Sequence, residues 1–347
     1  MDRFVPHTDN LGQLLQAKAE QLFTLMKNID VERLGLSEHG NIYFLGSHFK
    51  RMFFSIQTSA HLLYNSIQLS KKDVKDIVIM DYGAGIGSLY ILAKMIGCKQ
   101  VIYNDILEEW KQNALLIANA IHIDVDDYIV GNIDDTLKIL EQKGVKCDII
   151  TSRNVVEHIY RLADFYKIIA QYQPQAIVYS STTASFNNPA TNIQHVLHHR
   201  KIEKIYVAQR IKFIEEHFPK LTDNTIKLLA KKTRGYEKND LLYAVNQFNK
   251  DGSIPAKGYY YTNTCYMEYG VWAENLLPFL IHKQMAQSAG MGLMIKPGFW
   301  DTHYTKPWKN KMGSFFNAFI SVNPSIGFLV APFIYIIALP NKEKKQS

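Results

Sequence analysis

The stretch Ile77–Leu89, which reads IVIMDYGAGIGSL, constrains the fold more than any other part of the chain. It opens with four apolar residues and carries no charge before Asp81, which predicts a strand buried on both faces of a parallel sheet. Gly83, Gly85 and Gly87 then lead into an apolar pattern that predicts a helix. Glycines leave the backbone N–H groups of such a turn open to a ligand, and the following helix N-terminus favours an anionic or strongly polar group. We therefore expect a nucleotide-like ligand at the first strand of a doubly wound sheet.

The spacing of the glycines indicates which nucleotide to expect. A dinucleotide fingerprint has its third glycine at the sixth position, but here that position, counted from Gly83, is Ser88. The pattern D-x-G-x-G-x-G instead resembles the first motif of the class I S-adenosylmethionine (SAM) methyltransferases. In that family the turn wraps the methionine part of SAM, and the acid at the strand end helps to bind its amino group. The residues that this resemblance places around SAM are Asp81, Gly83, Ala84, Gly85 and Gly87.

A second apolar run, Gln100–Asn104, predicts the next strand and ends at Asp105, 20 residues after Gly85. An acid at that strand tip can accept hydrogen bonds from both hydroxyls of a ribose. The alternative is that Asp105 only caps the helix that starts at Leu107, because Asp is a favourable N-cap residue. Its distance from the glycine turn favours the ribose interpretation.

The residues after the third predicted strand flank the adenine ring in the resembling family. The matching residues here are Gly131, Asn132, Ile133 and Asp134. By this resemblance either Asn132 or Asp134 meets the adenine amino group, and Ile133 packs on the ring face. An apolar residue at that position is equally expected of an ordinary core.

The stretch Cys147–Phe165, CDIITSRNVVEHIYRLADF, predicts a strand with a polar end and then a helix opened by Val155 and Val156. It resembles the D-V-V-x-x-x-x-V-L-E-H-I segment after the fourth strand of methyltransferases that act on quinones, sugars and other small molecules. At this strand tip cofactor and acceptor meet, so we assign Arg153 and Asn154 to the cofactor site.

The Glu157–His158 pair within that stretch is the leading catalytic candidate. Imidazole is the side chain whose unperturbed pKa lies nearest neutrality, so His158 can serve as general base. Some quinone-pathway relatives carry a glutamate where Asn154 stands, and it joins the Glu-His pair at a metal. With asparagine at that position, we expect no metal. The alternative is that Glu157 and His158 orient the loop without contacting a substrate.

A long insertion over residues 186–270 follows the fifth predicted strand, Ala176–Thr182. We expect it to be helical after Pro189 and over Asn224–Lys232, and to act as a lid over the substrate. Its loop tyrosines suit a sugar or a ring-shaped substrate or simply pack; they are Tyr259, Tyr260, Tyr261 and Tyr266.

Three histidines of the insertion, His195, His198 and His199, share one side of the predicted helix. They can form a metal site, a surface for an anionic or hydroxylated substrate, or a solvated basic face, since Arg200 and Lys201 follow them. His195 and His199 are the reserve candidates for the catalytic base.

The chain divides into four predicted regions around one sheet. Residues 1–70 form a helical N-terminal region, 71–185 the SAM-binding core, 186–270 the insertion, and 271–347 the C-terminal part of the sheet. The resulting fold is α/β, with a Rossmann-like, mostly parallel, seven-stranded sheet whose last strand is antiparallel. That last strand is expected within Phe328–Leu339. The uncharged stretch around it is long enough to span a bilayer, but its prolines and asparagines favour a strand.

Composition sets only broad limits on function. The formal charge is +7, and no dense Lys/Arg block indicates nucleic acid binding. Three widely spaced cysteines fit a reducing cytoplasm, and the N-terminus lacks the apolar core of a signal peptide. We expect a cytoplasmic protein without nucleic acid or membrane contacts. Its oligomeric state stays open.

The resemblance implies a SAM-dependent methyltransferase, with O-methylation of a sugar, a nucleotide-sugar or another small polar metabolite as the expected reaction. Two alternatives remain. One is an NAD(P)-dependent oxidoreductase on the same kind of sheet, and the other is a catalytically inactive SAM-fold binding protein.

Overall fold

The computed structural model describes residues 3–255 and 262–341. Its strands alternate with helices through the first half of the chain, as expected for a sheet built from βα units. In chain order the strands are β1 (Val78–Tyr82), β2 (Gln100–Asp105), β3 (Asp127–Val130), β4 (Ile149–Arg153), β5 (Ile177–Thr182), β6 (Cys265–Tyr266), β7 (Val271–Trp272), β8 (Met291–Pro297) and β9 (Ile334–Pro340).

Seven of these strands form one sheet in the order β3-β2-β1-β4-β5-β9-β8. The strands β1 to β5 pair in parallel, whereas β9 is antiparallel to both of its neighbours. The prediction of a mostly parallel seven-stranded sheet with an antiparallel last strand is confirmed. The order reverses between β1 and β4, and in such sheets ligands bind beyond the carboxyl ends of the strands at this point.

The helices cover both faces of the sheet and extend beyond it. In chain order they are α1 (Asn10–Lys27), α2 (Glu38–Tyr43), α3 (Met52–Ser70), α4 (Leu89–Met95), α5 (Glu108–Ala120), α6 (Ile133–Gln142), α7 (Leu162–Tyr172), α8 (Pro189–His217), α9 (Asp223–Lys232), α10 (Lys238–Asp251), α11 (Phe279–Ser288), α12 (Pro307–Val322) and α13 (Pro324–Gly327).

Side chains that alternate along each strand contribute to two separate cores. On β1, Ile79 packs into the core that also contains α1, α3 and α4, while Met80 packs into the core that contains α6, α7 and α11. On β2 the same alternation separates Val101 from Ile102. This explains why the central strands have almost continuous apolar sequences: both of their faces are buried.

The insertion between β5 and β8 has a core of its own. Helices α8 and α9 occur where the sequence predicts them, and α10 was not predicted. Apolar side chains from α8, α9 and α10 pack together, among them Ile214, Leu229 and Leu241, each of them fully buried. Tyr259, Tyr260 and Tyr261 lie outside the described residues.

The helix expected to open at Val155 begins only at α7, with Leu162. Asn154 has a left-handed φ of 53°, which interrupts regular structure directly after β4. The residues that follow then make backbone contacts with β7 instead of a helix. The segment from 155 to 161 is therefore an irregular connection whose side chains do not follow helical spacing.

The C-terminal region also differs from the sequence prediction. Helix α12 was not predicted, and the last strand starts at Ile334 instead of Phe328. The sequence of residues 271–290 predicts one amphipathic helix ending at Gly290, but Val271–Trp272 is a strand and α11 starts after Pro278. Within the described part of the chain, every helix is too short or too polar to cross a bilayer.

Candidate functional site

The glycine turn after β1 is held against the end of β2 by backbone hydrogen bonds. The Ala84 N–H donates to the Asn104 carbonyl at 2.9 Å, and the Gly85 N–H donates to Oδ2 of Asp105 at 3.0 Å. Gly83 and Gly85 have φ values of +65° and +51°, which residues with a Cβ rarely adopt. The turn can form this close contact because glycine occupies both positions.

The two glycines face different surroundings. A Cβ placed on Gly83 would lie 2.6 Å from Cγ2 of Val155, so this position touches the connection after β4. A Cβ placed on Gly85 would meet no atom within 4 Å, so this position faces open space. The turn therefore packs on one side and leaves its backbone accessible on the other.

Asp105 lies at the tip of β2 with an exposed fraction of only 6%. Its two carboxylate oxygens accept from the Gly85 N–H and, at 3.2 Å, from the Leu107 N–H. Burial raises the pKa of Asp105, and these backbone hydrogen bonds oppose that rise. Each oxygen retains a second lone pair, so the carboxylate can bind the turn, hold the start of α5 and accept from a ligand. The cap and ribose interpretations are therefore compatible.

Asp81, at the end of β1, is also buried, and Thr151 of β4 donates a hydrogen bond to its carboxylate at 3.2 Å. Burial raises the pKa of Asp81 to about 7, against the lowering effects of nearby Arg153 and of the Thr151 hydrogen bond. A group that binds a proton near neutrality and faces a buried cation is sensitive to any additional charge placed beside it.

Arg153 joins the tip of β4 to α3. Its guanidinium donates to the Ser55 carbonyl at 2.8 Å, to the Ser55 hydroxyl at 3.0 Å and to the Ser59 hydroxyl at 2.5 Å. Burial lowers the pKa of Arg153. Because these contacts hold the guanidinium in one position, the site contains a fixed positive charge.

These residues surround a cavity of about 470 Å³ at the carboxyl ends of the strands. Its lining is Tyr43, Asp81, Gly83, Ala84, Gly85, Ile86, Gly87, Leu89, Asp105, Trp110, Arg153, Asn154 and His158. Neither Trp110 nor Tyr43 was predicted to lie in the site. Their rings lie 5.7 Å apart at 70° and give the cavity an aromatic side. The only signal in the sequence was an aromatic residue in each of two helices that flank the core.

His158 lies on this lining, and Trp272 of β7 orients it. Nδ1 of His158 is 2.9 Å from the Trp272 carbonyl oxygen. A carbonyl oxygen only accepts hydrogen bonds, so Nδ1 carries the proton and Nε2 is left with a free lone pair. The Trp272 N–H donates back to the His158 carbonyl at 3.1 Å, and the Asn275 N–H donates to the Glu157 carbonyl at 2.9 Å. The segment after the insertion therefore fixes the Glu157–His158 backbone.

The carboxyl group of Glu157 is buried beneath His158. It is 3% exposed, and the side chain of Thr182 is close enough to lower its pKa. Burial raises the pKa of Glu157 to about 7; the neighbouring His158 lowers it and Glu274 raises it. Glu157 therefore takes up a proton or a neighbouring positive charge readily near neutrality.

Within the described parts of the chain, Glu157, His158 and Glu274 form a group that could hold a metal. Their possible ligand atoms lie within 4.8 Å of one another. Two carboxylates and an imidazole are suitable ligands for a divalent cation. The expectation of no metal considered only Asn154 as the third ligand. Glu274 comes from beyond the insertion, and sequence spacing could not place it here.

The insertion histidines do not belong to the cavity lining. His199 is fully buried, with Nδ1 3.1 Å from the hydroxyl of Thr262, and burial lowers its pKa to about 4. His195 is largely buried, with Nε2 3.4 Å from the Thr183 carbonyl. His198 and Arg200 are exposed. The helix therefore combines a buried pair of histidines with a solvated basic face.

The residues expected beside adenine have local partners on α6. Asn132 caps the helix by accepting from the Asp135 N–H at 3.0 Å, Asp134 pairs with Lys138 at 2.6 Å, and Ile133 is buried. None of the three belongs to the lining of the described cavity. Their contact with a ligand stays a prediction.

A smaller cavity of about 190 Å³ adjoins the first and shares Tyr43, Arg153 and Asn154 with it. Its remaining lining is Arg51, Phe54, Ser55, Thr58, Ser181, Thr183 and Phe333. The combination of hydroxyl groups, one additional cation and two phenyl rings suits a polar molecule with an apolar face.

No family model and no curated protein matches the chain. Among solved structures, a SAM-dependent methyltransferase from Mesorhizobium loti is 12% identical, with a TM-score of 0.40 over 80% of this chain and 97% of its own. Magnesium protoporphyrin IX methyltransferase from Synechocystis PCC 6803, with bound SAM, is 16% identical, with a TM-score of 0.30 over 42% and 77%.

The ribosomal protein L11 methylase from Lactobacillus delbrueckii subsp. bulgaricus is 23% identical, with a TM-score of 0.28 over 36% of this chain. The chain spans 60% of that methylase and 37% of another similar structure, which was solved in complex with SAH. At these TM-scores the likeness assigns no activity to this chain.

Proposed function

We propose that this protein is a SAM-dependent methyltransferase. The observation that carries the proposal is the contact between Asp105 and the Gly85 N–H, which brings the acid at the tip of β2 to the open side of the glycine turn. An acid at this position, next to the open space at Gly85, suits a ligand that carries a ribose.

The residues around the cavity fit the chemical groups of SAM. Asp105 has lone pairs for the ribose hydroxyls, and Asp81 offers a carboxylate for the cationic amino group. Arg153 supplies a fixed positive charge for the methionine carboxylate. Gly85 leaves space where a side chain would project, and Trp110 and Tyr43 offer ring faces for adenine.

When bound, SAM supplies a methyl group on a positively charged sulfur. The work of this chain is then to place an acceptor in line and to take its proton, because alignment lowers the barrier for such a transfer. His158 accepts the proton of an acceptor hydroxyl at Nε2, while the Trp272 carbonyl holds the Nδ1 proton. A positive charge that forms on the imidazole is stabilised by the buried Glu157 carboxylate beside it.

The acceptor in this proposal is a sugar or another small polar metabolite that is methylated on oxygen. The smaller cavity supports this class because it adjoins the first at Asn154 and Arg153 and carries the hydroxyl groups of Ser181 and Thr183. Hydroxyl-lined pockets suit polyhydroxylated ligands, since each hydroxyl can both donate and accept.

The first experiment is calorimetric titration of the purified protein with SAM, S-adenosylhomocysteine and NADH. We expect both adenosyl ligands to bind and Asp105→Ala to abolish that binding. Asp124→Ala is the control, because Asp124 is an exposed acid outside the cavity lining. Binding of NADH alone would refute the proposal in favour of an oxidoreductase.

The role of His158 as general base needs a second experiment. His158→Gln should leave SAM affinity near that of the wild type and reduce methyl transfer to a screened hydroxyl acceptor by about 100-fold or more. Equal transfer by the variant and the wild type would exclude His158 as the base. Adenosyl binding without transfer to any acceptor in a broad screen would indicate a SAM-fold binding protein.

A further inference from the structure

Helix α12 presents an apolar stripe to solvent. Five of its large side chains recur at intervals of three and four residues, which places them along one side of the helix. They are Trp308 (59% exposed), Met312 (39%), Phe315 (66%), Phe319 (39%) and Val322 (85%). Single exposed apolar residues are ordinary on protein surfaces, but an aligned series of this size marks a surface that contacts something apolar.

The opposite side of α12 is fastened to the body of the protein. Gly313 and Ile320 are buried there, and the side chain of Asn317 bonds to both the N–H and the carbonyl of Trp300, at 2.6 and 2.9 Å. These inner contacts fix the orientation of α12, so the apolar stripe faces solvent in a defined position.

The charged residues of the chain along α12 are all positive. Lys306 precedes the helix, Lys309 and Lys311 lie on it, and the sequence contains no acid between Asp301 and Glu343. At 100° per residue, Lys309 and Lys311 fall on either side of the stripe. A helix with Trp and Phe on one face and flanking lysines matches the pattern of helices that lie in the plane of a membrane, where lysines meet anionic headgroups.

We propose that α12 docks on an anionic lipid membrane surface, with its apolar stripe in the boundary between headgroups and acyl chains. No spanning segment is needed for this mode of binding. The absence of acids between Asp301 and Glu343 makes a lipid bilayer a better occupant than a protein surface of mixed charge.

Helix α12 is linked to the lining of the smaller cavity through its inner side. Arg51 of the cavity lining contacts Asp301 at 3.3 Å and the Tyr304 hydroxyl at 3.4 Å, and Tyr304 is held to Asn310 of α12 by two hydrogen bonds. The docking itself does not depend on the reaction that the protein catalyses.

The test is cosedimentation of the full chain with vesicles of phosphatidylcholine alone or mixed with phosphatidylglycerol. We expect binding to the anionic vesicles that weakens at high salt. Phe315→Ser should reduce the partition coefficient about tenfold or more, and Lys311→Gln should reduce it about fivefold. Leu280→Ser is the matched control, since Leu280 is 63% exposed but lies on α11. It should bind like the wild type.

A second variant and a direct probe keep the test decisive. Val322→Ser, at the exposed end of the stripe, should weaken binding while circular dichroism stays unchanged. Brominated lipids should quench tryptophan emission in the wild type and much less in Trp308→Phe. No binding to anionic vesicles, or equal binding by Phe315→Ser, would overturn the proposal. So would a concentration-dependent dimer that Phe315→Ser abolishes, because a second copy would then cover the stripe.

Discussion

Gly83 is the residue of the glycine turn that tolerates a side chain least. Its φ of +65° is costly for alanine, and a Cβ would overlap Val155 at 2.6 Å. We expect Gly83→Ala to lower the free energy of unfolding by about 2–4 kcal/mol, as the sum of backbone strain and overpacking. Denaturant titration of the variant measures this loss.

A substitution at Gly144 distinguishes the contribution of backbone strain from that of overpacking. Its φ of +67° is nearly the same, but a Cβ there meets no atom within 4 Å. Gly144→Ala should therefore lose only the strain contribution, about 1 kcal/mol. Adding Val155→Ala to Gly83→Ala should restore part of the stability, whereas equal losses at the two glycines would show that the overlap with Val155 has no effect.

Glu157 gives stability a pH dependence of predictable sign. Burial raises its pKa from 4.5 in the unfolded chain to about 7 in the fold. Between these values the folded state holds a proton that the unfolded state has lost, so its contribution to stability decreases as pH rises through that range. We expect Glu157→Gln to be more stable than the wild type at pH 8 and to reduce this slope.

Urea unfolding at pH 5 and at pH 8 measures how the free energy of unfolding changes with pH. One titrating group changes this free energy by at most about 1.4 kcal/mol per pH unit. Asp81, whose pKa is also raised to about 7, contributes a slope of the same sign and should retain it in the variant. Glu215→Gln, at an exposed position, is the control. A wild-type slope preserved in Glu157→Gln would mean that Glu157 is ionised throughout this range.

The site residues that sequence could place are those whose positions follow from local spacing. Asp81 and the glycines are adjacent in sequence, and Asp105 follows at the tip of the next strand. Tyr43, Trp110 and Glu274 reach the site from distant elements, and no periodicity relates them to the turn. Their placement depends on packing between elements, which a single sequence does not encode in its spacing.

At the scale of elements, α3 is fastened to β4 through Arg153. Ser59→Ala removes a hydrogen bond to the partly buried Arg153 guanidinium and a second one to the Ser88 hydroxyl, and should lower the free energy of unfolding by about 1.5–3 kcal/mol. Ser66→Ala on the same helix is the control, because that hydroxyl is equally buried but bonds only to the Leu63 carbonyl of its own helix. It should lose less than about 1 kcal/mol.

Thermal or urea unfolding measures the loss of stability in Ser59→Ala and in Ser66→Ala. Equal losses would show that the contact with Arg153 contributes no more than a helix-internal hydrogen bond. A further loss of SAM affinity in Ser59→Ala alone would indicate that α3 positions Arg153 for its ligand.

Elements with a strong apolar pattern were predicted well, whereas those set by their neighbours were not. The run before Asp81 became β1 as expected, because burial on both faces requires such a sequence. The apolar pattern after Asn154 also resembles a helix, yet α7 starts only at Leu162. Backbone bonds to β7 compete with the first helical turn there, and β7 lies beyond the whole insertion. Helix α12 was not predicted, although its apolar residues recur at helical intervals of three and four.

At the scale of the whole molecule, the sheet and the insertion have separate cores. The insertion core draws on α8, α9 and α10, while the two other cores lie on opposite faces of the sheet. The sequence predicted the sheet because its strands and helices alternate regularly. It could indicate only that the insertion is helical, since helices of mixed polarity pack in many ways.

Separate cores predict that the insertion can lose stability without the sheet. Leu229 on α9 is fully buried, and Leu229→Ala should cost about 2–5 kcal/mol locally. We expect hydrogen exchange, followed by mass spectrometry, to accelerate across α8–α10 while β1–β5 keep their wild-type protection. Leu228→Ala, 47% exposed on the same helix, should leave exchange unchanged in both regions.

Arg161 forms ion pairs with Glu237 and Asp240 of the insertion. The strength of these pairs bears on whether the insertion unfolds independently of the sheet. Arg161 is 56% exposed and its two partners are 17% and 24% exposed, and ion pairs with a solvent-exposed member contribute about 1 kcal/mol or less each. Such pairs are too weak to make two cores unfold together, so local unfolding of the insertion should precede global unfolding. Loss of protection in β1–β5 in parallel with α8–α10 would show that the two cores are coupled. The backbone bonds between β7 and the Glu157–His158 segment would then be the link that transmits the change.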